Sequence, residues 1–150
     1  MQDIADLYQA VILDHNRRPR NFGEMENPDR VAVGDNPVCG DHYTVFLQMD
    51  GDRIREITFH GAGCAISKAS ASVMTSMLKG KTLAEIKALY SDFHHLVTSG
   101  EIDEGNLSDL SAFAGVHQFP ARIKCATLSW HAALNAAERP GEEPEPVTTE

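Results

Sequence analysis

Three cysteines and one aspartate carry most of the chemistry open to this chain of 150 residues. Cys39 and Asp41 stand in Asn36-Pro-Val-Cys-Gly-Asp41, Cys64 follows Gly61-Ala-Gly63, and Cys125 follows Phe119-Pro-Ala-Arg-Ile-Lys124. All three lie at structural punctuation, not amid an apolar periodic run of the kind that houses inert core thiols. A helix N-terminus favours the thiolate, which is the form that ligates metal or attacks sulfur. Cys64 and Cys125 are expected at or near such starts. Three is odd, so a complete intramolecular disulfide framework is excluded, and metal binding or thiol chemistry is the sharper reading. Three thiolates need one further ligand to close a tetrahedral zinc site. Asp41, two residues from Cys39 across Gly40, is the expected fourth. No Cys-x-x-Cys knuckle is present, so the spacing is not that of a zinc finger.

The histidines compete for that fourth place. His94 and His95 are neighbours on an expected helix, where adjacent side chains point about 100° apart and rarely share an ion. His42 follows Asp41 into a strand and is expected on the opposite face. His15 and His131 read as ordinary helix residues. His60 and His117 sit near loops and stay open as alternatives. Three thiolates and a carboxylate around a divalent ion leave a formal −2, which nearby cations would offset. Arg122 and Lys124 flank Cys125, and Arg122 lies about one helical turn before it, so both are expected just outside the ligands. Cys39, in a loop between Pro37 and Gly40, can swing out at least cost and is the expected nucleophile.

The elements that must position these residues follow from periodicity. Ile4, Leu7, Tyr8, Val11 and Ile12 predict an amphipathic helix over residues 3–15, ended by Pro19 and Gly23. A short strand is expected over 30–34. Tyr43, Val45, Leu47 and Met49 alternate, Asp50-Gly51 marks a hairpin turn, and a second strand runs over 53–60. After Cys64 the apolar period turns helical through Ile66, Ala69, Val73 and Met77, with Gly80 as the stop. Thr82-Leu-Ala-Glu85 is a capping box that opens a helix to about Phe93. An acidic loop is expected over 98–106, a short helix over 107–113, and a last helix from Pro120 to about Glu138. Strands first and helices afterwards predict an α+β fold with an antiparallel sheet.

The net charge of −9 is unevenly spread. Residues 91–120 hold five acids and no Lys or Arg, and the tail from Gly141 adds four more acids. The remaining body is balanced and shows no basic face for nucleic acid. The Glu- and Pro-rich tail is expected to be disordered. No apolar run is long enough for a membrane span, and the N-terminus has no signal-peptide pattern, so a cytoplasmic protein with reduced thiols is expected.

Taken in order, Asn36-Pro-Val-Cys-Gly-Asp41, Gly61-Ala-Gly-Cys-Ala-Ile-Ser67 and Lys124-Cys-Ala-Thr-Leu-Ser-Trp130 resemble the U-type iron–sulfur cluster assembly family. Asp14-His-Asn-Arg-Arg-Pro-Arg-Asn-Phe-Gly23 resembles the family's N-terminal signature, and the likeness runs over about residues 5–138. IscU-type scaffolds carry a histidine directly before the last cysteine, preceded by a Leu-Pro-Pro-Val-Lys motif. Here Lys124 and Phe119-Pro-Ala-Arg-Ile123 stand instead, and with the acidic 91–120 segment they are similar to the SufU branch. The resemblance implies a three-stranded antiparallel sheet packed with helices over residues 1–138, leaving 139–150 as the acidic tail. It implies zinc held by Cys39, Asp41, Cys64 and Cys125. It also implies sulfur received from a pyridoxal-phosphate cysteine desulfurase of the SufS type and passed to SUF scaffold components. The alternative is a scaffold on which an iron–sulfur cluster is built. The absent histidine before Cys125 favours transfer, because a carboxylate–thiolate set suits zinc as well as iron.

Overall fold

Hairpin signals set the sheet. Gly51 takes φ +64°, a conformation open to glycine, and the Gly51-Asp52 loop joins β2 (Asp41–Asp50) to β3 (Arg53–Ala62) as an antiparallel pair. β1 (Arg30–Asn36) pairs antiparallel with β2 from Arg30↔Leu47 to Asn36↔Asp41. The computed structural model describes residues 4–101, 108–138 and 147–148. The three antiparallel strands agree with the expected α+β fold. A fourth strand, β4 (Val147–Thr148), adds in parallel beside Gly34 and Asp35, giving the order β3-β2-β1-β4. Disorder was the expectation for the whole 139–150 tail. Val147 and Thr148 depart from it because the free edge of β1 offers them backbone partners, and residues 139–146 and 149–150 lie outside the described residues.

The helices cover one face of the sheet. Tyr43, Val45 and Leu47 of β2 and Ile57 and Phe59 of β3 are fully buried, as alternation requires when one face is covered. α1 (Ile4–Arg17) packs on α2 (Ala65–Leu78), and α4 (Pro120–Glu138) packs on α2, β1 and β2. The buried face of α2 is wider than its apolar stripe predicts. Ser67, Ala69, Ser70, Ala71, Ser72, Val73, Met74 and Thr75 are all buried, while Ile66 and Met77 are only partly so. Small residues let three elements approach this helix closely, and their hydroxyls find partners: Trp130 Nε1 donates to Ser70 Oγ at 3.2 Å. Trp130 itself stacks on Phe93 of α3 at 4.7 Å.

The capping box at Thr82 and Glu85 forms, and α3 (Leu83–Ser99) runs past the expected end at Phe93. No breaker intervenes until Gly100, which caps the helix at φ +75°. Residues 98–99 therefore belong to helix, and the acidic loop narrows, with 102–107 outside the described residues. The short helix expected over 107–113 is present as a 3₁₀ helix, Asp109–Gln118, opened by Ser108 and running further than expected. No helix is long and apolar enough to cross a membrane.

Candidate metal centre

The motif Asn36 to Asp41 is a hairpin connection. β1 runs on to Asn36, two residues beyond the expected strand, and Asp41 is the first residue of β2. The Gly40 N–H donates to the Asn36 carbonyl at 2.8 Å, and Gly40 takes φ +75° to close the turn. Cys39 therefore rides on the turn and is half-buried, whereas Asp41 is anchored in the ladder and fully buried.

Cys125 lies in the second turn of α4 with no exposed surface. One sulfur from Cys39, one carboxylate oxygen of Asp41 and the sulfur of Cys125 all lie within 4.8 Å of one another, close enough to share an ion. Cys64 is the N-cap of α2. Its sulfur accepts the Ser67 N–H at 3.4 Å, and its own N–H donates to Asp41 Oδ1 at 2.8 Å. Cys64 is thus tied to the group through Asp41, with its sulfur turned to the helix start and outside the 4.8 Å set.

The electrostatics favour a cation here. Burial pushes the Cys125 thiol well up from its ordinary pKa, and the close approach of Asp41 and Cys39 and the negative charge of Cys64 push the same way. A cation among these donors reverses that logic. Asp41 Oδ2 is buried without a hydrogen-bond partner, while Oδ1 is taken by Cys64 N–H and by Ser67 Oγ at 3.1 Å. An orphaned carboxylate oxygen beside two thiols fits a metal ion such as zinc. Arg122 faces the same group. A hydrogen bond to Cys125 and the charges of Cys64, Cys125 and Cys39 raise its pKa, as expected of a cation beside thiolates. Lys124 lines a cleft of about 220 Å³ beside Cys39, with Asn36, Val38, Pro120 and Ala121.

No histidine joins the group among the described residues. His42 points outward to Asp35 at 3.3 Å, and His60 lies against Phe22. The His117 ring lies 2.8 Å from the Ala114 carbonyl, and His95 lies by Glu101. His131 meets Tyr90, and His15 is buried between Ser72 and Asp109 at 2.8 Å from each. Sequence reasoning missed Asn36, Tyr43, Gly63 and Ser67. Asn36 Nδ2 approaches Cys125 Sγ at 3.8 Å, and Tyr43 OH lies 3.1 Å from Ser67 Oγ. The spacing of Cys64 and Ser67, N-cap to third helical residue, is the one signal that could have flagged Ser67.

Residues 7–126 match the family model described as the NifU-like N-terminal domain. The zinc-dependent sulfurtransferase SufU of Bacillus subtilis is 44% identical over 131 residues, 87% of this chain and 88% of that one. The iron–sulfur cluster assembly scaffold protein IscU of Streptococcus pyogenes is 40% identical over 140 residues, 93% and 87% of the two chains. Among solved structures, a candidate iron–sulfur cluster assembly scaffold for the SUF system from Fervidobacterium islandicum superposes with a TM-score of 0.79 at 33% identity, covering 90% of this chain and 99% of that one. With its fold, its hairpin and helix-cap cysteines and these likenesses in agreement, the chain belongs to the NifU-like N-terminal domain family of U-type iron–sulfur cluster assembly proteins.

Proposed function

We propose that this protein is a zinc-dependent sulfur-transfer protein of iron–sulfur cluster assembly that accepts persulfide sulfur on Cys39 from a pyridoxal-phosphate cysteine desulfurase of the SufS type. The observation that carries the reading is the convergence of Cys39, Asp41 and Cys125, in which Asp41 keeps one buried oxygen without a hydrogen-bond partner. Likeness to a relative named a zinc-dependent sulfurtransferase supports it. Cys39, Asp41, Cys64 and Cys125 would hold the zinc. When bound, zinc keeps its cysteine ligands as thiolates at neutral pH.

The chain's own residues account for the transfer. The Cys39 thiolate attacks the outer sulfur of the donor persulfide. A bond forms between Cys39 Sγ and that sulfur, the donor's sulfur–sulfur bond breaks, and the donor cysteine leaves as a thiolate that takes its proton from solvent. The sulfur moves with no net oxidation. Cys39 suits this because it sits on the turn, outside the β1–β2 ladder, so its displacement breaks no strand pairing. Asp41 and Cys125 are fully buried and stay fixed. Arg122 stabilises the anions left behind. The downstream acceptor is a SUF scaffold component, and the free state of all three cysteines suits the reducing cytoplasm.

The test is desulfurase turnover with the zinc-loaded protein and with the chelated protein. Stimulation by the loaded form alone is expected. A second reading, a scaffold that carries a cluster, is favoured by likeness to relatives named IscU. Anaerobic reconstitution that gives a stable, transferable cluster, with no stimulation of the desulfurase, would establish that reading instead.

A further inference from the structure

Asp41 does not stand alone in its pocket. Its Oδ1 accepts the Cys64 N–H at 2.8 Å and the Ser67 hydroxyl at 3.1 Å. Tyr43 OH lies 3.1 Å from the same Ser67 oxygen, and Tyr43 and Ser67 are both almost wholly buried. The direction of these bonds is fixed by chemistry. An ionised carboxylate only accepts, so Ser67 is the donor in its bond to Asp41, and with its one proton so used its oxygen accepts from Tyr43. A phenol ordinarily keeps its proton at neutral pH, so Tyr43 has one to donate across the 3.1 Å to Ser67 Oγ.

Ser67 has another acceptor within reach, the Cys64 carbonyl at 3.0 Å. Its choice between that carbonyl and Asp41 decides whether Oδ1 has a second donor beside the Cys64 N–H. Gly63 shows how closely the three groups are drawn together. A Cβ there would lie 2.5 Å from Ser67 Oγ, 2.6 Å from Asp41 Oδ1 and 2.8 Å from Tyr43 OH. This packing leaves Oδ1 spent on protein donors and Oδ2 as the carboxylate oxygen without a partner.

From this we infer that Tyr43 and Ser67 form a hydroxyl relay that positions Asp41, so that it binds the metal through Oδ2 alone. The inference rests on the reading of Asp41 as a metal ligand. Tyr43 and Ser67 are positioning residues; neither touches the ion. Their work is to keep the carboxylate from turning and offering both oxygens, and to draw charge from the oxygen that does not ligate. One-oxygen ligation keeps the site four-coordinate, with three thiolates as the remaining donors.

The experiment compares Tyr43→Phe and Ser67→Ala with the parent and with Asp41→Ala. Zinc affinity is read by competition with a chromophoric chelator. Cobalt(II) is used in place of zinc to read coordination number from its visible absorption, which is intense in four-coordinate sites and weak in five-coordinate ones. Thermal melting of the metal-free proteins controls for folding. Ser67→Ala is expected to weaken zinc by about 10–100-fold, and Tyr43→Phe by a smaller factor because it acts through Ser67. Both should dim the cobalt bands, and Tyr43→Phe should do so with little change in metal-free melting. Parent-like affinity and cobalt spectra in both variants, with zinc still weakened in Asp41→Ala, would overturn the relay while leaving Asp41 a ligand. If Asp41→Ala also binds like the parent, the ligand assignment itself is wrong and the relay falls with it.

Discussion

Gly63→Ala tests how tightly the pocket behind the metal centre is packed. The added methyl would meet Ser67 Oγ at 2.5 Å, Asp41 Oδ1 at 2.6 Å and Tyr43 OH at 2.8 Å, all inside contact distance. Gly63 is not in the left-handed region, so this crowding is the whole penalty. Overpacking a close-fitting interior costs about 1–3 kcal/mol. Relief of the clash requires Ser67 or Asp41 to move, which breaks a hydrogen bond to a charged group worth about 1.5–3 kcal/mol. The two costs trade against each other, because the shift that relieves one incurs the other, and a net loss of about 2–4 kcal/mol follows. For a chain of this size that lowers the melting temperature by about 5–15 °C. The assay is calorimetric or circular-dichroism melting of the metal-free protein, with zinc affinity measured alongside. Gly115→Ala is the control. Nothing lies within 4 Å of its would-be Cβ and its φ is not positive, so it should hold stability or raise it by about 0.4–1 kcal/mol. A Gly63→Ala protein that melts within about 2 °C of the parent and binds zinc equally well would refute the argument from close approach.

Three further outcomes are expected. Cys39→Ser should fold, and melt like the parent when both are metal-free, since the side chain sits on a turn, but sulfur should no longer appear by mass spectrometry on the peptide containing residue 39 after turnover with desulfurase; labelling of Cys64 or Cys125 with transfer intact would count against Cys39. Asp41→Ala should weaken zinc by more than the ~10–100-fold that loss of an outer partner costs, measured by chelator competition, because it removes a ligand and strands the Cys64 N–H. His131 is held below its ordinary value of 6.5 by burial first and by the charge of His94 second. A base with a lowered folded pKa binds its proton more readily when unfolded, so stability is full above about pH 6.5 and declines as pH falls from there toward the lowered folded value. Melting followed from neutral pH to about pH 5 should show a shallower decline in His131→Gln than in the parent, and equal slopes would contradict the assignment.

The parts of the fold legible in the sequence were those fixed by local chemistry. Alternation from Tyr43 to Leu47 and the glycine at 51 gave the central hairpin, and the Thr82–Glu85 box gave the start of α3. What was missed depended on partners distant in sequence. Asp35 and Asn36, before a proline, read as loop, yet they extend β1 because His42 and Asp41 stand opposite them in the ladder. Ala and Ser residues of α2 carry little hydrophobic signal, yet they are buried because α1, α4 and β3 close on them. Val147 and Thr148 form a strand only because the edge of β1 is there to receive them. The metal-centre candidates were legible for the opposite reason: a cysteine beside proline, glycine or a helix start is anomalous where it stands. Ser67 and Tyr43 were hidden because each is ordinary for its own element, and only the fold brings their hydroxyls together.

The three cysteines sit on elements of graded stiffness, and that gradation suits transfer better than permanent storage. Cys125 is buried within a 19-residue helix packed on the sheet. Cys64 caps a helix and is pinned at its backbone by Asp41 and at its sulfur by Ser67. Cys39 rides on the turn closed by Gly40, and it borders a cleft of about 220 Å³. A site meant only to hold its ion gains from placing every ligand on rigid structure. Here one cysteine is set on a turn beside a cleft, while the carboxylate near it is held by two donors at the start of the strand. The geometry therefore separates the cysteine on the turn from the groups on helix and strand. Reversing the gradation is the sharpest consequence to examine. Gly40→Ala places a side chain at φ +75°, where L residues are strained, and so distorts the turn that carries Cys39. It should slow sulfur transfer in the desulfurase assay while the buried core keeps its melting temperature to within a few degrees. Transfer at the parent rate would mean that the turn's geometry is not what delivers Cys39 to the donor.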